Sequence, residues 1–173
     1  MEKEWIEIVD EEGNYTGQVI EKEEAHDKNL LHNEVAVFVI NNNYQVLLQK
    51  RNPHKRFNPN KWALCAGHVD AKESLEDAAL RELKEEIGVE FSKKELIPFA
   101  KREFSIQDTN SHITYFYYVK CNKKDSEFVI QKEELSEVKW FSFDEIIDRI
   151  ERKDNTIVFH ENRLYLFETL KNL

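Results

Sequence analysis

Apolar and polar positions alternate in WIEIVD near the start of the chain, and the polar stretch that follows lets Asp10 through Gly17 turn it back as a hairpin. NEVAVFVINNNYQVLLQKR then predicts a buried strand, an Asn-rich turn at 41–43 and a second strand. The segment NPHKRFNPNKWALCAGHVDAKES crowds breakers, basic residues and aromatics together, which predicts a long ordered loop broken by a short strand near Ala63. From Ser74 the period becomes helical: Ser74 is an N-cap with Asp77 three residues on, Leu80, Leu83 and Ile87 form a stripe, and Gly88 is a stop. Strands are expected at 97–106, in SHITYFYYVKC and in VKWFS. A helix carrying Ile146, Ile147 and Ile150 begins near Ser142, and another is expected from Ile157 to Leu173, with Phe159, Leu164, Leu166, Phe167 and Leu170 as its apolar surface. Strands and helices mix without regular alternation, which predicts an α/β fold, an α/β/α sandwich around a mixed β-sheet. With no repeat or linker, residues 1–173 read as a single domain whose first 30 residues are an N-terminal extension.

Bulk properties narrow the partners. The 173 residues carry 34 acidic and 25 basic side chains, a net charge of -9, which disfavours nucleic acid across a broad face and means that an acidic substrate needs a bridging cation. Cys65 and Cys121 are far apart and in no Cys-x-x-Cys spacing, so neither a disulfide scaffold nor a thiolate zinc site is expected, and a reducing cytoplasmic setting fits. The start lacks a basic-then-apolar signal pattern, and no apolar run approaches the roughly 18 residues that span a bilayer.

The densest chemistry lies in GHVDAKESLEDAALRELKEEIGV, residues 67–89. Positions three and four apart share a helix face, so Glu82, Glu85 and Glu86 converge within an arc of about 100°. A solvated acidic surface is one reading. The other is a hard cation such as Mg2+ or Mn2+, which takes several oxygen ligands and would offset their mutual repulsion of about 0.2–0.5 kcal/mol for each exposed pair. The chain has four glycines and two of them, Gly67 and Gly88, bracket this segment; Gly67 lets the backbone approach an ion and offer its carbonyl. Arg81 has two possible partners, Asp77 one turn earlier or Glu73 as a clamp between loop and helix.

This pattern, Gly67, Glu73, Arg81-Glu82-Leu83, Glu85-Glu86 and Gly88-Val89, resembles a complete Nudix box, and the surrounding order of elements resembles the Nudix superfamily over residues 33–150. The resemblance implies a metal-dependent hydrolase of phosphoric anhydrides. In it the Gly67 carbonyl, Glu82, Glu85 and Glu86 hold magnesium or manganese, Glu73 and Arg81 shape the loop, and Glu85 orients or deprotonates the attacking water. A later glutamate, Glu133, Glu134 or Glu137, is an alternative base.

EEAHDKNLLHNEVAVFVI also resembles the segment of type 1 isopentenyl-diphosphate isomerases that carries two metal-binding histidines, here His26 and His32, and their Gly-His corresponds to Gly67 and His68. The departures are that the isomerase cysteine would fall at Ala66, beside Cys65, and that its acidic pair would fall around Asn110 to His112, which is not acidic. Strand alternation points Cys65 to the face opposite Ala66. His26, His32, His68 and His112 are either a second ion site or separate hydrogen-bonding residues.

Lys50, Arg51, His54, Lys55, Arg56 and Lys61 make a basic run in an acidic chain, a solvated loop or a binding surface for a substrate's distal phosphate. Phe57, Trp62, Phe104 and Tyr115 are candidates for a wall against a base or apolar group, with core packing as the alternative. The expected partner is thus a small-molecule diphosphate, a nucleoside-diphosphate-X or related organic diphosphate. Isopentenyl-diphosphate isomerase and a non-catalytic nucleotide-binding module are the other functions considered. A homodimer is expected from the frequency of symmetric pairs.

Overall fold

The computed structural model describes residues 3–105 and 111–172, with side chains omitted at 101–105. Among the described residues, β1 (Trp5–Val9) and β2 (Tyr15–Glu21) form the expected N-terminal ribbon, with Asp10 to Asn14 as its turn. A short helix follows that the hydrophobic pattern does not announce, α1 (Lys22–Asp27); it spans less than two turns and buries only Ala25 and His26, too little for a readable stripe.

β3 (His32–Ile40) is the hub of the sheet. It pairs antiparallel with β1 at its start, with β6 (Cys65–His68) along its middle and with β4 (Gln45–Arg51) at its end, while β8 (His112–Lys120) runs parallel along its whole other edge. β5 (Trp62–Ala63) and β9 (Leu135–Ser142) pair with β4, and β7 (Ile97–Ser105) pairs with β8, so the sheet is mixed, as expected. The position 106 included in the expected β7 lies outside the described residues.

Each face of this sheet holds its own core. Val35, Val37, Val39, Cys65 and Tyr117 face α2 (Leu75–Ile87), which buries Ala78, Ala79, Leu83 and Ile87; Leu80, placed on the stripe from sequence, is only half-buried. Ala36, Phe38, Leu48, Phe116 and Phe141 face α3 (Phe143–Glu151) and α4 (Leu164–Lys171). The result is the α/β/α sandwich. Ser74 caps α2 by accepting the Asp77 N–H, and Gly88 ends it in the left-handed region at φ 68°; Ser142 caps α3 in the same way.

The tail corrects one expectation. The helix begins at Leu164 after a 3-10 turn, and Ile157 instead forms a parallel bridge with Trp62: Trp62 N–H donates to Thr156 O at 2.8 Å and Val158 N–H to Trp62 O at 3.0 Å. Backbone groups satisfied by β5 are not available to a helix, so tertiary pairing overrides the apolar spacing of Ile157 and Phe159. Trp62 itself is buried edge-on against Phe141, a core residue and not part of a binding wall. Tyr115 packs against the α2 core, and the Phe104 side chain lies outside the described atoms.

Candidate functional site

Two polar centres lie back to back on the strands β3 and β6. Because successive side chains alternate across a strand, Cys65 faces α2, whereas Ala66 and His68 face the opposite core.

The first centre is built by α2 and the loop before it. Arg81 is its organiser: Nε and Nη2 donate to the two Glu73 carboxylate oxygens at 2.9 Å each, Nη1 donates to Glu82 at 2.6 Å and to Glu85 at 3.2 Å, and Nη2 also reaches the His68 carbonyl at 2.9 Å. Of the two partners open to Arg81 in the sequence, Glu73 is the one taken, while Asp77 pairs with Lys93. Glu73 closes the loop in turn, its carboxylate accepting the Asp70 N–H and its own N–H donating to Asp70 O. Such a bidentate clamp sets the geometry between loop and helix more tightly than a point charge would.

The three box carboxylates stand at graded depth. Glu86 is deepest, accepting from Gln49 Nε2 at 2.8 Å, Cys65 Sγ at 2.8 Å and the Ala66 N–H at 3.1 Å. Glu82 lies directly against the Cα of Gly67: a Cβ there would fall onto the Glu82 carboxylate. Glu85 is half-exposed at the rim. Burial raises the pKa of both Glu82 and Glu86; neighbouring Glu86 raises Glu82 further, whereas the Cys65, Gln49 and Ala66 donors pull Glu86 back down. Burial, helped by Glu86, pushes the Cys65 thiol up, so it is a protonated donor to the carboxylate and not a nucleophile. Three carboxylates held beside a backbone that only glycine can provide form a donor set of hard oxygens, which fits a hard divalent cation. Gln49 and Cys65 were not singled out as partners of Glu86, because their approach depends on the pairing of β4 and β6 with β3.

The second centre is on the other face. His26 from α1, His32 from the start of β3 and His68 from the end of β6 bring one ligand atom each to within 4.8 Å of the others. His26 Nε2 and His68 Nε2 are 3.2 Å apart. His32 Nδ1 lies 2.8 Å from Leu30 O, which can only accept, so Nδ1 carries the proton and Nε2 is left with its lone pair. Neither His32 Nε2 nor His26 Nδ1 has a hydrogen-bond partner, and both rings are almost wholly buried. Burial lowers the pKa of all three, His32 to about 4, so the cluster is neutral and ready to ligate. Imidazoles in this state suit a borderline cation such as Zn2+. His112 stands farther off, its ring centroid 6.3 Å from that of His32 and its Nε2 3.6 Å from Glu34.

The basic run disperses. Lys55 pairs with Glu134; Arg56 bridges to Glu23 at 3.1 Å and Asp27 at 3.0 Å on α1. Phe57 sets its ring edge-on to His26, 5.7 Å between centroids, and so lies over the histidine centre. Arg51 is two residues along β4 from Gln49 and lends its charge to Glu86, while its Nε donates to Phe57 O at 3.1 Å. Lys61 is half-buried at the base of the loop, its carbonyl accepting from the Arg51 N–H.

The NUDIX domain family profile matches residues 30–160. A Nudix hydrolase of uncharacterised role from Clostridium acetobutylicum is 31% identical over 185 residues, covering 99% of this chain and 89% of that protein. An isopentenyl-diphosphate Delta-isomerase from Aliivibrio fischeri is 30% identical, covering 88% of each. Among solved structures, a Deinococcus radiodurans protein superposes with a TM-score of 0.74 at 22% identity, covering 96% of this chain and 99% of its own, which shows the shared fold. The chain belongs to the Nudix family and is a hydrolase of its kind, acting on phosphoric anhydride bonds.

Proposed function

We propose that the protein cleaves a diphosphate bond in a nucleoside-diphosphate-X or related organic diphosphate, with Mg2+ or Mn2+ held by the Gly67 carbonyl, Glu82, Glu85 and Glu86. The single observation that carries this reading is the box geometry: Arg81 fixes Glu73, Glu82, Glu85 and the His68 carbonyl at once, and Glu82 rests on the Cα of Gly67. A bound cation would polarise the diphosphate and lower the pKa of a coordinated water. The chain's own part is to oppose, through the Arg81, Gln49 and Ala66 donors, the burial that favours protonated Glu82 and Glu86, and to present Glu85 at the rim to orient and deprotonate water. Arg51, with its charge toward Glu86, would meet substrate phosphate, and Lys55, Arg56, Lys61 and Phe57 are the further candidates to contact the rest of the substrate.

A second reading, isopentenyl-diphosphate isomerisation, is favoured by the buried histidine cluster. The side chain at the position of the isomerase cysteine is Ala66, and Cys65 is committed to Glu86 across the sheet. The test is a mass-resolved product assay of the full chain with Mg2+ or Mn2+ on nucleoside diphosphate derivatives and on isopentenyl diphosphate. Release of phosphate, pyrophosphate or nucleotide is expected, together with a loss of at least about a hundredfold in kcat for Glu85→Gln at unchanged folding. Dimethylallyl diphosphate without hydrolysis would favour the isomerase, and a fully active Glu85→Gln would remove Glu85 from its role.

A further inference from the structure

Glu86 is the most heavily engaged of the box carboxylates, and the engagement is uneven between its two oxygens. Oε2 accepts from Cys65 Sγ at 2.8 Å and from the Ala66 N–H at 3.1 Å, whereas Oε1 accepts only from Gln49 Nε2, at 2.8 Å. An ionised carboxylate offers about four lone-pair directions, two on each oxygen. Gln49, Cys65 and Glu86 are each 5% exposed or less, so water does not compete for these directions: the chain fills three of them and leaves one, on Oε1. Glu82 and Glu85 differ, for among the described residues each takes a donor on one oxygen only, from Arg81. The Gln49 amide is not drawn elsewhere, since its own Oε1 is buried with no hydrogen-bond partner. The donors to Glu86 thus come from two strands, β4 and β6, and not from the helix that carries it.

We infer that Gln49, Cys65 and the Ala66 N–H form a socket that leaves Glu86 one ligating oxygen, Oε1, and that Cys65, by closing Oε2, makes the box select a small octahedral cation such as Mg2+ or Mn2+ over Ca2+. The inference rests on the cation role proposed above for Glu86. Ca2+ takes about six to eight oxygens at about 2.3–2.6 Å and often both oxygens of one carboxylate, whereas Mg2+ demands an octahedron at about 2.0–2.1 Å. A carboxylate reduced to one oxygen suits Mg2+ and denies Ca2+ a ligand. Gln49 and Cys65 are positioning residues in this scheme, each acting through Glu86.

The experiment is Mn2+ binding to the full chain, followed by electron paramagnetic resonance of the free ion, with displacement by Mg2+ and by Ca2+. Glu82→Gln is the control that reports Mn2+ held outside the box, at the histidines included. The Mn2+ that this control no longer binds is the box ion, and Mg2+ is expected to displace it at a lower concentration than Ca2+. Cys65→Ala should narrow that gap between Mg2+ and Ca2+ by about tenfold or more, because a freed Oε2 gives Ca2+ its second oxygen. Cys65→Ser, which keeps a hydroxyl donor, should restore the gap, and Gln49→Met should weaken Mn2+ by about tenfold with the gap unchanged. Circular dichroism and thermal unfolding of each variant separate loss of the socket from loss of the fold. A folded Cys65→Ala with the wild-type gap would overturn the inference, as would a Cys65→Ser that matches Cys65→Ala, since the change would then come from packing and not from the donor. If Glu82→Gln binds as much Mn2+ as the wild type, the cation reading of the box fails and the inference falls with it.

Discussion

Gly67 has room for a hydrogen and nothing more, because the Glu82 carboxylate occupies the space a Cβ would need. That carboxylate is also held from behind by Arg81 at 2.6 Å, so it can yield only by leaving its place in the box. Gly67→Ala is therefore expected to keep the fold, since the displaced group is the end of a long side chain, but to lower metal-dependent turnover by about tenfold or more, a loss of about 1.4 kcal/mol or more in transition-state stabilisation. The measurement is kcat against Mg2+ concentration; a normal rate and Mg2+ requirement would show that the close packing has no part in the chemistry. At this scale the sequence is legible where residues are neighbours along one helix, as Glu82, Glu85 and Glu86 are. It is silent where the partner comes from a strand, as with Gln49 and Cys65 on Glu86.

The helix α2 is defined by its ends as much as by its buried face. Ser74 accepts the Asp77 N–H at 3.1 Å, and Gly88 adopts φ 68° with Val129 so close that an added Cβ would sit 2.8 Å from the Val129 Cβ and carbonyl oxygen. Ser74→Ala should cost about 1 kcal/mol from the lost cap. Gly88→Ala should cost more, about 2 kcal/mol, since the left-handed conformation alone costs a side chain about 1–2 kcal/mol. Urea unfolding of both variants checks the order, and equal losses would mean that the Val129 contact adjusts freely. Both ends were readable in advance because caps and stops are local chemistry. α1 is not, being too short for a periodic pattern, and the start of the tail at Ile157 and Val158 is not helical despite its apolar spacing, because backbone hydrogen bonds there go to Trp62, far away in sequence.

Across the molecule, the two centres titrate in opposite senses. Burial lowers His26, His32 and His68, His32 to about 4, so the folded chain keeps them neutral where the unfolded chain would protonate them; the stability this provides is present above about pH 6.5 and lost as pH falls toward 4. Burial raises Glu82 and Glu86, so the folded chain holds protons the unfolded chain releases, and that stability is lost as pH rises past the ordinary carboxylate range. The metal-free protein should thus have its stability maximum between these limits. Mg2+, bound by the ionised carboxylates as proposed above, should raise the melting temperature more at about pH 8.5 than at about pH 6.5. An equal Mg2+ increment at both values would show that the box carboxylates do not titrate with the fold.

Sequence alone determined the spacing of the Nudix box, the strands and caps around it and the sandwich class, because each depends on residues close together in the chain. Tertiary structure decided what stands on which side of the sheet. The pairing of β3 with both β6 and β8 turns His68 and Glu34 to one face and Cys65 to the other, and draws His26, His32 and His68 together from three separate elements. Register converts distant positions into neighbours, and a shift of one residue would exchange the two faces, so that arrangement exists only once the strands have paired.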